Sequence, residues 1–528
     1  MANADADPKA DGYKPPGSIL IIGSGVFGLS TALALTRRPE IPPNTSITVV
    51  DRSPDAGVFP ARDASSIDSS RIIRADYADA AYATLAGEAQ THWRARPDDP
   101  GSLGGDGRYT ESGLLLAAEA GSCDGATVRP DGHLTGLGYT KRSWVNALAL
   151  AHGQGRPLSS VRLAPSAWVL GKMSRTGGEW ADWGYLNTAA GWADAERSMR
   201  WLYERVVETG RVTFVNGTVE ALETQKKSRD GEDEGEGREG QRVSGARLSD
   251  GRSFSADLVI VAAGAWTPSL VDMAGQAVAT GQCLAYLRLT EDEQAKLEKM
   301  PVCLNMTDGC FIIPPRDGVL KIARHAYGYL NPQPVSNAPL SNNTTSSPSS
   351  KNNDSSNGSS PKTVSQPRTH LTEPSLSIPT EGAADLRRAL RRMIPWPDLA
   401  ERPFFLTRLC WYTDTATGDW IVDYHPSYKN LFVATGGSGH AFKFLPILGD
   451  KIVDCLTGKC PKEFREKWKW KDGVGINESG DTGRDEGDGE RRGGDGLAAE
   501  ATITTEDGSR GGKPGLILQD EMAKSGKS

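Results

Sequence analysis

Residues 18–35 leave few folds open to this chain. Ser18-Ile19-Leu20-Ile21-Ile22 runs directly into Gly23-Ser24-Gly25-Val26-Phe27-Gly28, and that into Leu29-Ser30-Thr31-Ala32-Leu33-Ala34-Leu35. The apolar run predicts a strand buried on both faces of a parallel sheet, and the last stretch predicts a helix. Strand, G-x-G-x-x-G, helix is the opening of a nucleotide-binding βαβ unit. Gly23 permits the tight turn, Gly25 lets a pyrophosphate approach the backbone, and Gly28 lets helix and strand pack closely. The helix N-terminus, with its Ser24, Val26 and Phe27 amides nearby, then faces the phosphates. A second apolar run, Ile47-Thr48-Val49-Val50, ends in Asp51, 23 residues after Gly28, where a carboxylate can accept hydrogen bonds from a ribose diol.

The motif alone fits FAD or NAD. Two later strands separate them: Asp257-Leu258-Val259-Ile260-Val261-Ala262-Ala263-Gly264 and Leu431-Phe432-Val433-Ala434-Thr435-Gly436-Gly437-Ser438-Gly439-His440. A strand ending in small residues lets backbone pass beneath a flat cofactor where a Cβ would collide. Lying roughly 230 and 400 residues beyond the first motif, they imply a cofactor domain assembled from separated pieces. That favours an extended FAD over NAD held by one contiguous unit.

Composition limits the folded part. Residues 331–373 are dominated by Ser, Asn, Pro and Thr, with little apolar surface to offset the entropy of ordering them. Residues 472–528 are rich in Gly and charge and are expected to form a disordered tail, as is the polar stretch 1–14; 225–241 reads as a charged loop tip. A net charge of −7 offers no basic surface for nucleic acid, and no apolar run approaches the roughly 20 residues of a membrane span. Seven scattered cysteines point to a reducing compartment, so the expectation is a soluble intracellular protein, cytoplasmic or peroxisomal, although Gly526-Lys527-Ser528 is not an S-K-L type address. A monomer is expected.

Between these segments the chain resembles the FAD-dependent amine oxidase family of monomeric sarcosine oxidase, pipecolate and saccharopine oxidases and fungal fructosyl amino acid oxidases. The likeness runs from about residue 17 to 470. It is carried by Ala64-Ser65-Ser66-Ile67-Asp68-Ser69-Ser70-Arg71-Ile72-Ile73-Arg74, by Gly184-Tyr185-Leu186-Asn187 with Gly191-Trp192, by Cys410-Trp411-Tyr412-Thr413, and by Gly436-Gly437-Ser438-Gly439-His440-Ala441-Phe442-Lys443-Phe444.

The resemblance implies several roles. Cys410 occupies the position from which relatives bond their flavin covalently. Lys443 and Arg74 hold a substrate carboxylate, the arginine as a bidentate fork. Arg71 orders the site near the flavin ring and, if this stretch is a helical turn, shares a face with Arg74. Lys321, on an alternating stretch Val319-Leu320-Lys321-Ile322-Ala323 that reads as a strand, sits over the flavin and promotes reaction with oxygen by stabilising developing superoxide. His325 falls where relatives keep an active-site histidine. Val219, Gly264, Gly436, Gly437, Gly439, His440 and Lys443 complete the cofactor contacts.

The expected architecture is α/β (α+β overall): a discontinuous Rossmann-like FAD domain from 15–85, 180–275 and 408–470, and a sheet-rich substrate domain from 86–179 and 276–407, with 331–373 hanging from the latter. The expected reaction is hydride transfer from the carbon beside an amine to flavin N5, reduction of molecular oxygen to hydrogen peroxide, and hydrolysis of the imine. Fructosyl-lysine enzymes carry a glutamate where this chain has Ile313, which favours a secondary-amine amino acid (N-alkyl, cyclic imino or saccharopine-like) over a fructosyl one. A fructosyl amino acid oxidase, a specialised-metabolism amine oxidase of the same fold and a non-catalytic FAD-binding protein are the alternatives.

Overall fold

A computed structural model describes residues 13–52, 61–94, 98–99, 101–225, 241–335, 339–340, 363–471, 503–524 and 526. Its centre is a six-stranded sheet in the order Ile421–Tyr424, Leu431–Thr435, Leu258–Val261, Ser18–Ile22, Ser46–Asp51, Val212–Asn216. The last five are parallel, and Ile421–Tyr424 adds an antiparallel edge. The apolar runs at Ile19–Ile22 and Leu258–Val261 form its middle, buried on both faces. Helices Val26–Arg37, Ala195–Glu208 and Leu445–Leu456 cover one face. A small sheet of Val219–Gln225, Gln241–Leu248 and Ser253–Ser255 covers the other. Three segments far apart in sequence thus make one doubly covered sheet, as its βαβ opening requires.

A ten-stranded mixed sheet stands beside it. Its long strand Val278–Arg288 pairs with Leu406–Asp414 and Val319–Arg324, and helices Thr380–Met393 and Gly136–Gly153 pack on the sheet. Two strands grouped by sequence position with the cofactor domain, Trp183–Asn187 and Leu406–Asp414, belong to this second sheet instead. The reason is register. Leu406–Asp414 finds nine partners along Val278–Arg288, a run of hydrogen bonds the first sheet does not offer it.

Two segments set aside on composition are part of the fold. The ends of 331–373 close on each other as strands Pro332–Pro334 and Thr363–Ser365, and the Ser365 hydroxyl donates to the Ala279 carbonyl at 2.7 Å. Residues 503–524, expected in a disordered tail, pack onto the body: Leu516–Ile517 pairs with Tyr329–Leu330, and Leu518 and Met522 enter the second core. Composition averaged over the whole tail hid these few apolar residues. The low-complexity centre of 341–362, the charged loop 226–240 and residues 472–502 lie outside the described residues.

Candidate active site

The strand Ser18–Ile22 turns at Gly23, with φ +104°, into the helix Val26–Arg37. A Cβ on Gly23 would lie 2.4 Å from the Ala262 carbonyl oxygen, and one on Gly28 would lie 1.9 Å from that of Gly23. Both glycines are therefore demanded by chain-to-chain packing. Gly25 differs, because a Cβ there would meet nothing within 4 Å. The space in front of Gly25 is an elongated cleft of about 440 Å³.

Gly23, Gly25, Val26, Phe27, Asp51, Val219, Gly264, Gly437, Gly439 and His440 all line this cleft. Ser24, Gly28 and Gly436 are not among its lining residues. Ser24 is buried and donates through both its amide (2.8 Å) and its hydroxyl (2.6 Å) to the Asp51 carboxylate. Burial pushes the Asp51 carboxyl up, opposed by these donors and by the Arg52 amide. The donor-rich turn, the acidic strand end and the open cradle fit a long dinucleotide.

The cleft opens into a smaller cavity of about 80 Å³, sharing Arg71, Tyr412, Gly439, His440 and Phe442 with it. This second cavity brings together Arg71, Arg74, Lys321, His325, Cys410 and Lys443, from four separate stretches of chain. The 71–74 stretch is not a helical turn. Arg71–Ile73 is a short strand paired with Gly191–Ala193, and Arg74 follows it. The β-branched pair Ile72-Ile73 favours the extended form.

Beneath the cavity lies a buried charge cluster built on Asp68. Its carboxylate accepts from Lys321 Nζ at 2.5 Å, from an Arg71 guanidinium N–H, from the Tyr286 hydroxyl at 2.6 Å and from the Ser69 amide at 2.7 Å. Burial alone would raise the Asp68 carboxyl, but Lys321, Arg71 and Arg408 overcome it and hold the group far below the usual range. Burial pushes Lys321 down to about 8, in spite of Asp68. The other Arg71 nitrogen donates to the Ser65 carbonyl and lies 3.6 Å from Cys410 Sγ.

Opposite, Lys443 sits on a single helical turn, Phe442–Phe444, that feeds the helix Leu445–Leu456. Its Nζ donates to the His440 carbonyl at 2.7 Å and to the Tyr77 hydroxyl at 2.9 Å. His440 Nε2 lies 2.8 Å from the Gly418 carbonyl, which only accepts, so Nε2 carries the proton and Nδ1 accepts from Tyr77. Burial, with Arg74 beside it, drives the Lys443 ammonium well below its ordinary value. Arg74 is 7% exposed, lies against the faces of Tyr77 and Tyr139, and leaves Nη1 buried without a hydrogen-bond partner. A buried unpaired guanidinium N–H is costly and marks a place for an anion.

Ile72, Leu284, Leu304, Phe311, Ile313 and Ala323 form an apolar side, and Ser70, Gln282 and Arg324 add polar groups elsewhere on the wall. No Asp or Glu is among the lining residues. Sequence reasoning passed over Asp68, Tyr77 and Tyr139 as site residues. Asp68 lies within the 64–74 motif, but nothing local says that one carboxylate gathers Lys321, Arg71 and Arg408 around it.

Residues 18–455 match the model of the FAD dependent oxidoreductase family. The chain belongs to this family. Amino acid oxidase imqH of Aspergillus flavus is 33% identical over 494 residues, which cover 87% of this chain and 98% of that protein. L-saccharopine oxidase of Schizosaccharomyces pombe is 27% identical, over 86% of this chain and 93% of its own. In fold, the modified fructosyl peptide oxidase from Aspergillus nidulans, solved in complex with FSA, superposes with a TM-score of 0.70 at 24% identity, over 97% of this chain and 99% of that one. The protein is thus an FAD-dependent oxidoreductase of the amino acid and amine oxidase kind, acting on a CH–NH donor. Among the described residues no helix is long and apolar enough to cross a membrane, and no group of three His, Cys, Asp or Glu is placed to hold a metal ion.

Proposed function

We propose that this FAD-dependent oxidoreductase oxidises a secondary-amine amino acid, N-alkyl, cyclic imino or saccharopine-like, with molecular oxygen as the final acceptor. One observation carries the reading: the unpaired Arg74 Nη1 and Lys443 share a cavity with an apolar wall that includes Ile313 and no carboxylate. Arg74 and Lys443 bind the substrate carboxylate, which fixes the position of the amine-bearing carbon. Ile72, Phe311 and Ile313 exclude water and accept an apolar N-substituent or ring.

FAD, when bound, supplies the two-electron chemistry. The amides of Gly25, Val26 and Phe27 would hold its phosphates and Asp51 its ribose, with Val219, Gly264, Gly437, Gly439 and His440 lining the rest of the cleft. Cys410, beside Arg71, is the covalent attachment point. Lys321 holds a positive charge where oxygen is reduced, and Asp68 keeps that charge in place.

The test is an anaerobic flavin-bleaching screen of the purified holoenzyme against sarcosine, pipecolate, saccharopine, proline and fructosyl-valine, with peroxide measured on re-aeration. Bleaching by an N-alkyl or cyclic amino acid is the expected result. Bleaching by fructosyl-valine alone would overturn the substrate class and the weight placed on Ile313. Acid denaturation of the same sample should leave the yellow colour on the chain, and Cys410→Ala should release it.

A further inference from the structure

Residues 503–524 run across the seam between the two sheets, over the place where His325 enters the cavity. Arg510, with a side chain 1% exposed, pairs with Asp414 at 2.6 Å and donates to the Ser438 carbonyl at 3.1 Å and to the Ala326 carbonyl at 3.3 Å. One guanidinium therefore ties the glycine-rich loop of the cofactor side to the residue after His325. The backbone is stitched in as well. The Gly511 amide donates to the His325 carbonyl and the Tyr327 amide to the Gly511 carbonyl, both at 3.1 Å, and the Thr505 hydroxyl donates to the Thr415 carbonyl at 2.7 Å. A Cβ on Gly511 would sit 1.9 Å from the Asp308 carbonyl oxygen, so this approach needs glycine.

This clasp delivers Ser509 to His325. Ser509 is buried; its Oγ lies 2.5 Å from Asp507 Oδ1 and 3.4 Å from His325 Nε2, and its amide donates to the same carboxylate oxygen at 2.9 Å. A carboxylate only accepts, so the Ser509 hydroxyl proton points to Asp507. The Ser509 oxygen then turns its lone pairs toward His325. A bare Nε2 would set lone pair against lone pair, whereas a protonated Nε2 completes the chain. The order His325 Nε2–H to Ser509 O–H to Asp507 leaves Nδ1 as the unprotonated ring nitrogen.

We propose that Asp507 and Ser509 are positioning residues that hold His325 as its Nε2–H tautomer, so that Nδ1 accepts a hydrogen bond from the single N–H of a neutral secondary amine in the cavity. This rests on the amine-oxidase reading of that cavity. Burial, with Arg510, Arg74, His440 and Lys443 close by, keeps the His325 ring neutral, as an acceptor must be. A carbon bound to such an amine gives up hydride only while nitrogen keeps its lone pair; a hydrogen bond from N–H to Nδ1 aims that lone pair without consuming it. Tertiary amines lack the N–H and lose this contact.

The experiment is nitrogen NMR of the full-length holoenzyme labelled at histidine. The chain has seven histidines, so the His325 signals are assigned by their loss in His325→Asn. The wild type should show one protonated and one bare nitrogen, with the proton on Nε2. Ser509→Ala and Asp507→Asn should mix the tautomers, and Ser509→Thr should restore the wild-type pattern. If Ser509→Ala fails to fold, Asp507→Asn, at a partly exposed side chain, gives the same reading.

In anaerobic stopped flow with sarcosine, or with whichever amine of the screen bleaches the flavin, Ser509→Ala should slow limiting reduction about ten-fold, the size of one neutral hydrogen bond. Acetate affinity should not change, since Arg74 and Lys443 are untouched. A proton on Nδ1 in the wild type, or spectra unmoved by both variants, overturns the proposal. Because the spectra need no substrate, failure of the amine screen and failure of the tautomer assignment are read separately.

Discussion

Replacing Asp68 by Asn tests whether the site is built on a buried charge cluster. The Asp68 and Lys321 side chains are 2% and 3% exposed and their charged atoms 2.5 Å apart. Without the negative charge, Lys321 Nζ keeps the Ser70 carbonyl at 2.9 Å and faces the Arg71 cation across only a neutral amide. Removing one partner of such a buried pair costs about 3–5 kcal/mol, because it strands a charge out of water. That is a factor of roughly 100 to several thousand in the folded-to-unfolded ratio. The reverse change, Lys321→Met, leaves Asp68 with Arg71, the Tyr286 hydroxyl and the Ser69 amide, and should cost less, about 1–3 kcal/mol.

The double variant removes the stranded charge along with its partner, so it should be little worse than Asp68→Asn alone. The cycle then yields a coupling of about 1–3 kcal/mol. Urea unfolding at fixed FAD concentration, followed by tryptophan fluorescence and compared at equal slope, supplies the four numbers. pH adds a sign. Asp68 is held far below its unfolded value, so its contribution is present above about pH 4 and is lost as the pH falls toward the folded value. The gap between wild type and Asp68→Asn should therefore close in acid. Costs that add within about 0.5 kcal/mol, or a gap that widens in acid, would refute the cluster as an energetic unit.

Arg74→Met should weaken binding of a carboxylate ligand by about 2–4 kcal/mol, read as a 30- to 1,000-fold rise in Kd from the flavin spectrum, because the buried fork is lost. Lys443 has its ammonium form suppressed by burial and Arg74, so an entering carboxylate should bring a proton with it. Acetate binding should weaken by up to about one logarithm per pH unit as the pH rises, and calorimetry in two buffers should detect the proton taken up. Lys321 loses its charge around pH 8, so the reaction of reduced enzyme with oxygen should slow as pH rises through that value; a flat profile would remove Lys321 from the oxygen step.

The cofactor half could be read from sequence because its rules are local. A buried strand, a turn that only glycine can make and a helix are consecutive, so Gly23, Gly25 and Gly28 announce themselves, and Asp51 follows at the next strand end. The site residues were named through resemblance, and the structure gathers Arg71, Arg74, Lys321, His325, Cys410 and Lys443 around one cavity. Geometry that depends on long-range pairing was not legible. Arg71–Ile73 is a strand because Gly191–Ala193 lies beside it, and Leu406–Asp414 joins the second sheet because Val278–Arg288 is long enough to receive it. Neither partner is visible from the segment itself.

Residues 503–524 show how composition misleads. Flanked by glycine and charge, they resemble a solvated tail, yet their hold on the body does not come from a large apolar face. Arg510 reaches Asp414, Ser438 and Ala326 at once, and glycine at 511 lets two backbones approach so closely that their amides and carbonyls pair. Such contacts need only a few residues at the right places, and average hydropathy does not register them. The same few residues decide where the segment sits: against His325, where the large cleft meets the smaller cavity. A segment anchored by a buried ion pair at that point bears on both halves. Loss of Arg510 would release the glycine loop at Ser438 and the chain after His325 at Ala326 together, which links the order of the two sheets' loops through one guanidinium.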